Sequence, residues 1–220
     1  MEPRNRFVLL SVSATKTALQ EALPSGIIHL ATHGFFDQEG TTDSLFSSFL
    51  IFAGYNRWAR TKILSEEFGN GILTADEISR MDLRNCGLVV LSSCQSGLES
   101  DQGGTMQGLI SAFSAAGASW IVSSLWHVDD YATSILMDAF YASMFDRQLP
   151  VPDALRTAKH YLRTVTVDEL WENGWLELPD GLPVSEETRK NIERLKNSNG
   201  RRKPFSDERF WGGFVCHKCK

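Results

Sequence analysis

Short apolar runs alternate with helix-like segments along most of this 220-residue chain. Residues 88–91 (LVVL) are the clearest apolar run, and uninterrupted runs of this length are typical of buried strands. The same pattern predicts further strands at 7–12, 27–33, 49–52, 120–126 and 210–215. Helical spacing of apolar residues, with capping and stop residues at the ends, predicts helices at 14–23, 73–78, 105–116, 131–145 and 152–162. The alternation predicts an α/β fold with a mostly parallel central sheet covered by helices.

Two polar stretches interrupt this alternation. Residues 35–48 are expected to form a loop, after which the strand at 49–52 is a candidate hairpin partner for residues 63–64. Residues 165–204 are polar, with prolines and a charged, helix-like segment at 185–196. We expect this second stretch to be a surface excursion from the fold.

Composition and charge narrow the classes of function. The chain is 42% hydrophobic and carries a formal net charge of −5. A nucleic-acid partner is not expected, because such proteins usually show a basic stripe and a high isoelectric point. Four cysteines are too few for a secreted disulfide scaffold, and no apolar run reaches transmembrane length. The chain is therefore expected to be soluble and cytoplasmic, with no membrane partner.

Two residues suited to nucleophilic chemistry lie at the ends of predicted strands. His33 closes the strand at 27–33, and Cys94 follows the strand at 88–91. The functional crevice of a parallel sheet lies beyond the carboxyl ends of its strands. A nearby histidine can take the proton of a thiol and later protonate a leaving amine. Backbone N–H groups of Gly34 and Cys94 are candidates for an oxyanion hole, and Gly34, without a side chain, allows close approach. No metal or cofactor is needed.

The residues around this pair resemble a known family. Residues 28–37 (IHLATHGFFD) and 88–97 (LVVLSSCQSG) are similar to the histidine and cysteine motifs of CHAT domains, in the caspase–separase group of cysteine peptidases. Residues 108–113 (GLISAF), 124–133 (SLWHVDDYAT) and 210–215 (FWGGFV) also look like blocks of this family. The resemblance extends over nearly the whole chain.

The resemblance implies a three-layer caspase-like sandwich and a Cys–His dyad that hydrolyses peptide bonds in a protein or peptide substrate. Family members often follow tetratricopeptide repeats or other sensor modules, and some act in regulated cell death or defence. A strand and a helix normally precede the strand at 7–12. We therefore expect a single domain over residues 1–220, truncated at its N-terminus, with the excursion at 165–204, and a regulatory repeat module in a longer parent protein.

The same resemblance implies a position for the substrate pocket. Trp126, Asp129 and Asp130 would lie near the side chain that precedes the scissile bond, where an acidic group would favour a basic residue. Both aspartates are equally suited to cap the helix at 131–145. The two interpretations remain open for each of them.

Several other residues have candidate roles. Cys216 and Cys219 form a CxxC pair, which is typical of half a zinc site or a redox pair, but a frayed terminus is the favoured interpretation. Cys86 is expected to pack in the core, and His29 is interpreted as a core histidine. His127 is a weaker rival to His33 as the base.

Three functions are compatible with these residues. The first is a cysteine endopeptidase, and the alternative is a catalytically silent CHAT-like scaffold or interaction domain. A third, a phosphatase-like thiol enzyme, would need an arginine shortly after the cysteine to hold phosphate. Residues 95–101 contain no arginine and include two acidic residues, so this function is excluded.

Overall fold

The structure, a computed structural model, describes residues 8–23, 26–36, 48–92, 102–177 and 184–219. The chain divides into two compact units, Met1–His127 with His217–Lys220, and Val128–Cys216. The described part of the first unit contains α1 (Lys16–Glu21), β1 (Ile27–Leu30), β2 (Gly34–Phe36), β3 (Ser48–Ile51), α2 (Tyr55–Thr61), β4 (Ile72–Thr74), α3 (Ala75–Ser79), β5 (Leu88–Leu91), α4 (Gln102–Ala116) and β6 (Trp120–Ser124). The second contains α5 (Asp130–Phe145), α6 (Val151–Thr164), α7 (Val167–Glu172), α8 (Glu186–Lys196) and the first residues of β7 (Phe214–Lys218).

A four-stranded sheet in the order β1-β5-β6-β7 forms the centre of the fold. β5 pairs in parallel with both β1 and β6, and all four of its residues are buried. The core on one face of these strands joins strand residues to α4; its members include Ile28, Leu30, Val89, Leu91, Ile121, Met106, Leu109 and Phe113. The predicted α/β fold, a mostly parallel central sheet flanked by helices, is confirmed.

A second, antiparallel sheet has the order β2-β3-β4. The prediction of a loop at 35–48 was wrong at its start, because Gly34–Phe36 forms β2 and pairs with β3. The predicted strand at 49–52 is confirmed as β3. Three-residue strands such as β2 are too short to show a periodicity in the sequence.

The predicted hairpin partner of β3 was also wrong. β3 pairs with β4, which places the wholly buried side chains of Leu50 and Leu73 side by side. Ile63 and Leu64 are instead 63% and 67% exposed. They follow α2, whose end is marked by Lys62 in the left-handed conformation, at a φ of 57°.

The apolar run at 7–12 does not form the predicted strand in its described part. Residues Ser11–Ser13 form a short 3₁₀-helix, and Val12 and Leu10 are 73% and 58% exposed. An apolar run becomes a buried strand only where a neighbouring element covers it. Among the described strands, β1 takes its partner from β5 and not from this segment.

The predicted helices form, and their caps explain where they begin. The Thr15 side chain accepts a hydrogen bond from the N–H of Ala18 in α1, and the Thr74 side chain accepts one from Glu77 in α3. Asp129, and not Asp130, caps α5. α4 ends at Gly117, whose φ of 108° suits glycine.

The last strand lies further along the chain than predicted. β7 spans Phe214–Lys218, whereas residues 210–215 were predicted, because Glu208–Phe210 is a 3₁₀-helix and a turn follows it. The interpretation of Cys216 and Cys219 as parts of a frayed terminus was therefore wrong. Cys216 lies in β7, and the N–H of Cys219 donates to the carbonyl of Ser119 at 3.0 Å.

Part of the excursion at 165–204 belongs to the packed interior of the second unit. Residues 185–196 form the predicted helix as α8, whose Ile192 and Leu195 are buried. The Tyr131 hydroxyl of α5 donates to the carbonyl of Trp175, and the Asn191 amide of α8 donates to Asp129 at 3.4 Å. These contacts attach the excursion to α5.

Candidate active site

The predicted base, His33, lies in the segment of the chain that joins β1 of one sheet to β2 of the other. β1 ends at Leu30, so His33 is not the last residue of that strand as predicted, but lies directly before β2. Its side chain is exposed. The N–H of Ile51 donates to the His33 carbonyl at 3.0 Å, and the Thr32 hydroxyl donates to the Ile51 carbonyl. These two bonds fix the His33 backbone against β3.

An aromatic cluster follows His33. The ring of Phe35 lies 6.4 Å from the His33 ring and stacks on Phe49 at 5.7 Å and on Tyr55 at 6.5 Å. Stacked rings limit the movement of the segment to which they belong. The cluster therefore supports β2 directly after the candidate base.

The predicted nucleophile, Cys94, lies outside the described residues. Its place in the chain is still informative, because β1 and β5 are parallel neighbours and Leu30 pairs with Leu91. His33 follows Leu30 by three residues, and Cys94 follows Leu91 by three residues. The described ends of β1 and β5 therefore lie at the same carboxyl edge of the sheet, where parallel sheets place their sites.

Gly34, the predicted oxyanion donor, occupies a specific position in the β2–β3 ladder. It faces Leu50, and the bond from the Ile51 N–H to the His33 carbonyl shows that the hydrogen-bonded pairs lie on either side of it. In an antiparallel ladder, the residue between two such pairs directs its N–H and C=O away from the partner strand. The N–H of Gly34 thus points away from β3.

The Cα of Gly34 is close to buried leucines. A methyl group added there would meet Leu109 Cδ1 at 3.6 Å and Leu50 Cδ2 at 3.8 Å, which are ordinary contacts. A side chain at this position would therefore point toward the buried Leu109 and Leu50. The property of Gly34 that suits an oxyanion hole is the direction of its N–H.

His29 is not the core histidine that the sequence predicted. It is exposed, and a 2.7 Å hydrogen bond joins its Nε2 to Ser92 Oγ. Although one side is exposed, the protein around the ring lowers the pKa of His29 by removing water from the charged form. This pair links β1 to the residue after β5, and sequence reasoning missed it. The parallel pairing of 27–30 with 88–91 is the signal that would have found it.

The residues predicted for the substrate pocket lie in different local settings. Trp126 is half-buried after β6, and its carbonyl accepts from the Ser124 hydroxyl. Asp129 Oδ1 accepts from the Ala132 N–H at 2.8 Å, as a helix cap does. Asp130 is exposed in the first turn of α5. A contact with substrate stays a prediction for all three.

The other candidate residues fall outside the site. Cys86 is buried, and burial raises the pKa of its thiol, as the packing role requires. Within the described ranges, no three His, Cys, Asp or Glu side chains are grouped closely enough to hold a metal ion. His127 is exposed after β6. Of the helices in the described part of the chain, none has the length and apolar character to cross a membrane.

Comparison with models of protein families identifies the family of the chain. A family model described as the CHAT domain matches residues 2–218. A search of curated proteins finds no match. The matched range includes both strand-end motifs, the antiparallel sheet and β7. The chain therefore belongs to the CHAT domain family, which is related to the caspase-like peptidases.

Proposed function

We propose that the protein is a cysteine endopeptidase that hydrolyses peptide bonds through a dyad of Cys94 and His33. The observation that carries the proposal is the register of β1 and β5, in which Leu30 pairs with Leu91. His33 follows Leu30 by three residues along the chain, and Cys94 follows Leu91 by three residues. Family membership and the outward N–H of Gly34 support it independently.

The reaction follows the chemistry of thiol acyl transfer. His33 accepts the proton of the Cys94 thiol, and the sulfur attacks the substrate carbonyl carbon. The carbonyl oxygen becomes an oxyanion, which the N–H groups of Gly34 and Cys94 stabilise. Collapse of this intermediate breaks the C–N bond, and His33 returns its proton to the leaving amine. Water, deprotonated by His33, then hydrolyses the thioester and releases the thiol.

For the substrate we propose a protein or peptide with a basic residue before the scissile bond. Asp130 supports this preference better than Asp129, since the carboxylate of Asp129 already caps α5 and accepts from Asn191. By membership in the family, we further propose regulated processing in the cytoplasm, in cell death or defence. A repeat module, such as tetratricopeptide repeats, would control the site in a longer parent protein.

A peptide-library cleavage assay on the purified chain tests the dyad. Cys94→Ala and His33→Ala should each lower the cleavage rate by about a hundredfold or more, the range of general-base and nucleophile losses. Cys216→Ser removes a thiol of β7 and serves as the matched control, with a rate near that of the wild type. Circular dichroism confirms that each variant is folded.

Two results would contradict the proposal. Comparable cleavage by Cys94→Ala would show that another group is the nucleophile. A folded wild-type chain that cleaves no member of the library would favour the silent scaffold.

A further inference from the structure

The second unit contains a groove that the proposed chemistry does not use. It lies along α6 and is closed on the other side by Trp211 and the first residues of β7; its lining includes Leu155, Arg156, Lys159, Arg163, Trp211 and Phe214. Its volume is about 540 Å³, within the range of small-ligand and peptide sites. All of its lining residues belong to Val128–Cys216.

The groove is basic although the chain as a whole is acidic. Arg156, Lys159 and Arg163 line it together with His160, and none of the described residues in the lining is acidic. The formal net charge of the chain is −5. Two carboxylates lie nearby: Asp153 pairs with Arg156 at 2.9 Å, and Glu208 acts on Lys159 by its charge. Arg163 faces the indole of Trp211, with 5.8 Å from its Cζ to the ring centroid.

The walls of the groove are held in place by contacts of their own. Lys159 Nζ donates to the Gly212 carbonyl at 3.4 Å, which ties α6 to the turn before β7. Gly212 has no room for a side chain, because a Cβ there would lie 2.4 Å from Glu208 Cγ. The turn that carries Trp211 is thus closely packed, and a preformed groove loses less entropy on binding.

The spacing of the charges indicates what kind of anion fits. Arg156 and Arg163 are seven residues apart on one helix, which corresponds to about 10 Å along its axis. An extended peptide covers this distance in about three residues, whereas a single phosphate or carboxylate meets only one end of it. The apolar part of the lining, the floor of the groove, includes the half-buried Trp211 above the buried Leu155 and Phe214.

We propose that this groove binds an acidic peptide segment in extended conformation, with its carboxylates on Arg156 and Arg163 and an apolar side chain against the floor. The lining shares no residue with the proposed dyad, and binding there does not depend on hydrolysis. The groove gives the second unit a means of recruiting a partner protein through an acidic segment.

Fluorescence anisotropy tests the proposal. The full chain carrying Cys94→Ala is titrated with a fluorescein-labelled eight-residue peptide of alternating glutamate and leucine, so that hydrolysis cannot affect the result. Arg156→Gln with Arg163→Gln should raise Kd about tenfold, the loss expected for two exposed ion pairs. The matched control, Arg189→Gln with Arg194→Gln on exposed positions of α8, removes the same charge and should leave Kd unchanged.

The outcomes distinguish binding of the peptide in the groove from non-specific electrostatic attraction to the chain. Binding that weakens with salt, and that is lost for a lysine–leucine peptide, supports the acidic preference. An equal increase in Kd for both double variants would overturn the site. No binding at 1 mM peptide by a folded chain would overturn the proposal as well.

Discussion

His29 and Ser92 connect the ends of β1 and β5 by a side-chain hydrogen bond of 2.7 Å. Ser92 precedes Cys94 by two residues, and His29 precedes His33 by four. The pair therefore lies on the same two segments as the proposed dyad. It includes neither residue of that dyad, and it joins β1 to the residue that follows β5.

Loss of this hydrogen bond should be measurable. Ser92→Ala should lower the free energy of unfolding by about 1 kcal/mol, the usual value for one hydrogen bond. Urea unfolding followed by circular dichroism measures this free energy of unfolding. The comparison is Ser198→Ala, which removes a hydroxyl of the second unit that donates to the Leu195 carbonyl. A Ser92→Ala variant as stable as the wild type would contradict a structural role for the pair.

The pKa of His29 predicts a pH dependence of stability. The protein around one side of the ring removes water from the charged form and lowers this pKa below the ordinary value of 6.5. The unfolded chain therefore binds the proton more readily than the folded chain. Stability from this group is complete above about pH 6.5 and is lost as pH falls through the lower folded-state value. His29→Gln should flatten this part of the profile in urea unfolding between pH 7.5 and 5. His160→Gln, at an exposed histidine, should leave the dependence of stability on pH as it is in the wild type. A wild-type slope of stability against pH in His29→Gln would contradict the role assigned to His29.

Gly34 allows a test of the oxyanion hole with two variants at one position. Gly34→Pro removes the N–H that points away from β3, and proline is tolerated at edge positions of this kind. Its cleavage rate should fall by about 10²–10³, the cost of one oxyanion donor. Gly34→Ala keeps the N–H, and its methyl has room beside Leu109, so most of the rate should remain. Equal losses in both variants would argue against an N–H role.

At this scale the sequence gives candidate reactive residues, which stay predictions, but it does not give their neighbours. His33, Gly34 and Cys94 are recognisable because strand-end motifs surround them. His29 was misjudged because alternation within a four-residue strand does not say which face is covered. Its exposure depends on what packs against β1, and its bond to Ser92 depends on the pairing of strands 61 residues apart, His29 to Val90.

Helix starts are the elements that local sequence explains best. Thr74 and Glu77 form a reciprocal capping box at the start of α3. Glu77 also forms an ion pair with Lys16 of α1, which joins two elements distant in the chain. Sequence reasoning identified Thr74 as the cap, because the pattern is confined to four residues. It did not identify the ion pair.

The pKa of Glu77 makes α3 sensitive to acid. Burial acts to raise this pKa, but hydrogen bonds from Lys16 and Thr74 outweigh it, and the net shift is downward from 4.5. Its contribution to stability is therefore present above about pH 4.5 and is lost as pH falls further. Glu77→Gln should lose about 1 kcal/mol at pH 7, in the range of helix caps, and flatten this acid dependence. Glu187→Gln, at an exposed position of α8, is the control, and an unchanged acid profile in Glu77→Gln would contradict the assignment.

Among the elements, the strands were predicted less well from the sequence than the helices. β5 was predicted with its observed limits, because all four residues are apolar and buried. The run at 7–12 has the same apolar character but Val12 is 73% exposed. β2 was missed because it has three residues and starts with glycine. Strand formation depends on a partner, and a single sequence does not name the partner.

At the scale of the whole molecule, the sequence predicted the fold class and the family but not the division into two compact units. The order of the two motifs along the chain predicted the family, and the match over residues 2–218 confirms it. The single domain over 1–220 stays a prediction, while the structure separates Val128–Cys216 as a compact unit. The packing of 165–204 within that unit, and the basic groove of α6, depend on contacts between distant segments that periodicity does not reveal.

The most direct test of the central claim is the rate at which iodoacetamide alkylates Cys94, measured by peptide mass spectrometry against Cys86, Cys216 and Cys219 in the same chain. At pH 7, a Cys94 thiol paired with His33 should be alkylated at least about tenfold faster than these three. As the pH is raised, its alkylation rate should begin to increase at a pH below the ordinary thiol pKa of about 8.5. His33→Ala should slow Cys94 and shift its pH profile upward. A Cys94 that reacts no faster than Cys216, or that is unaffected by His33→Ala, would contradict the dyad.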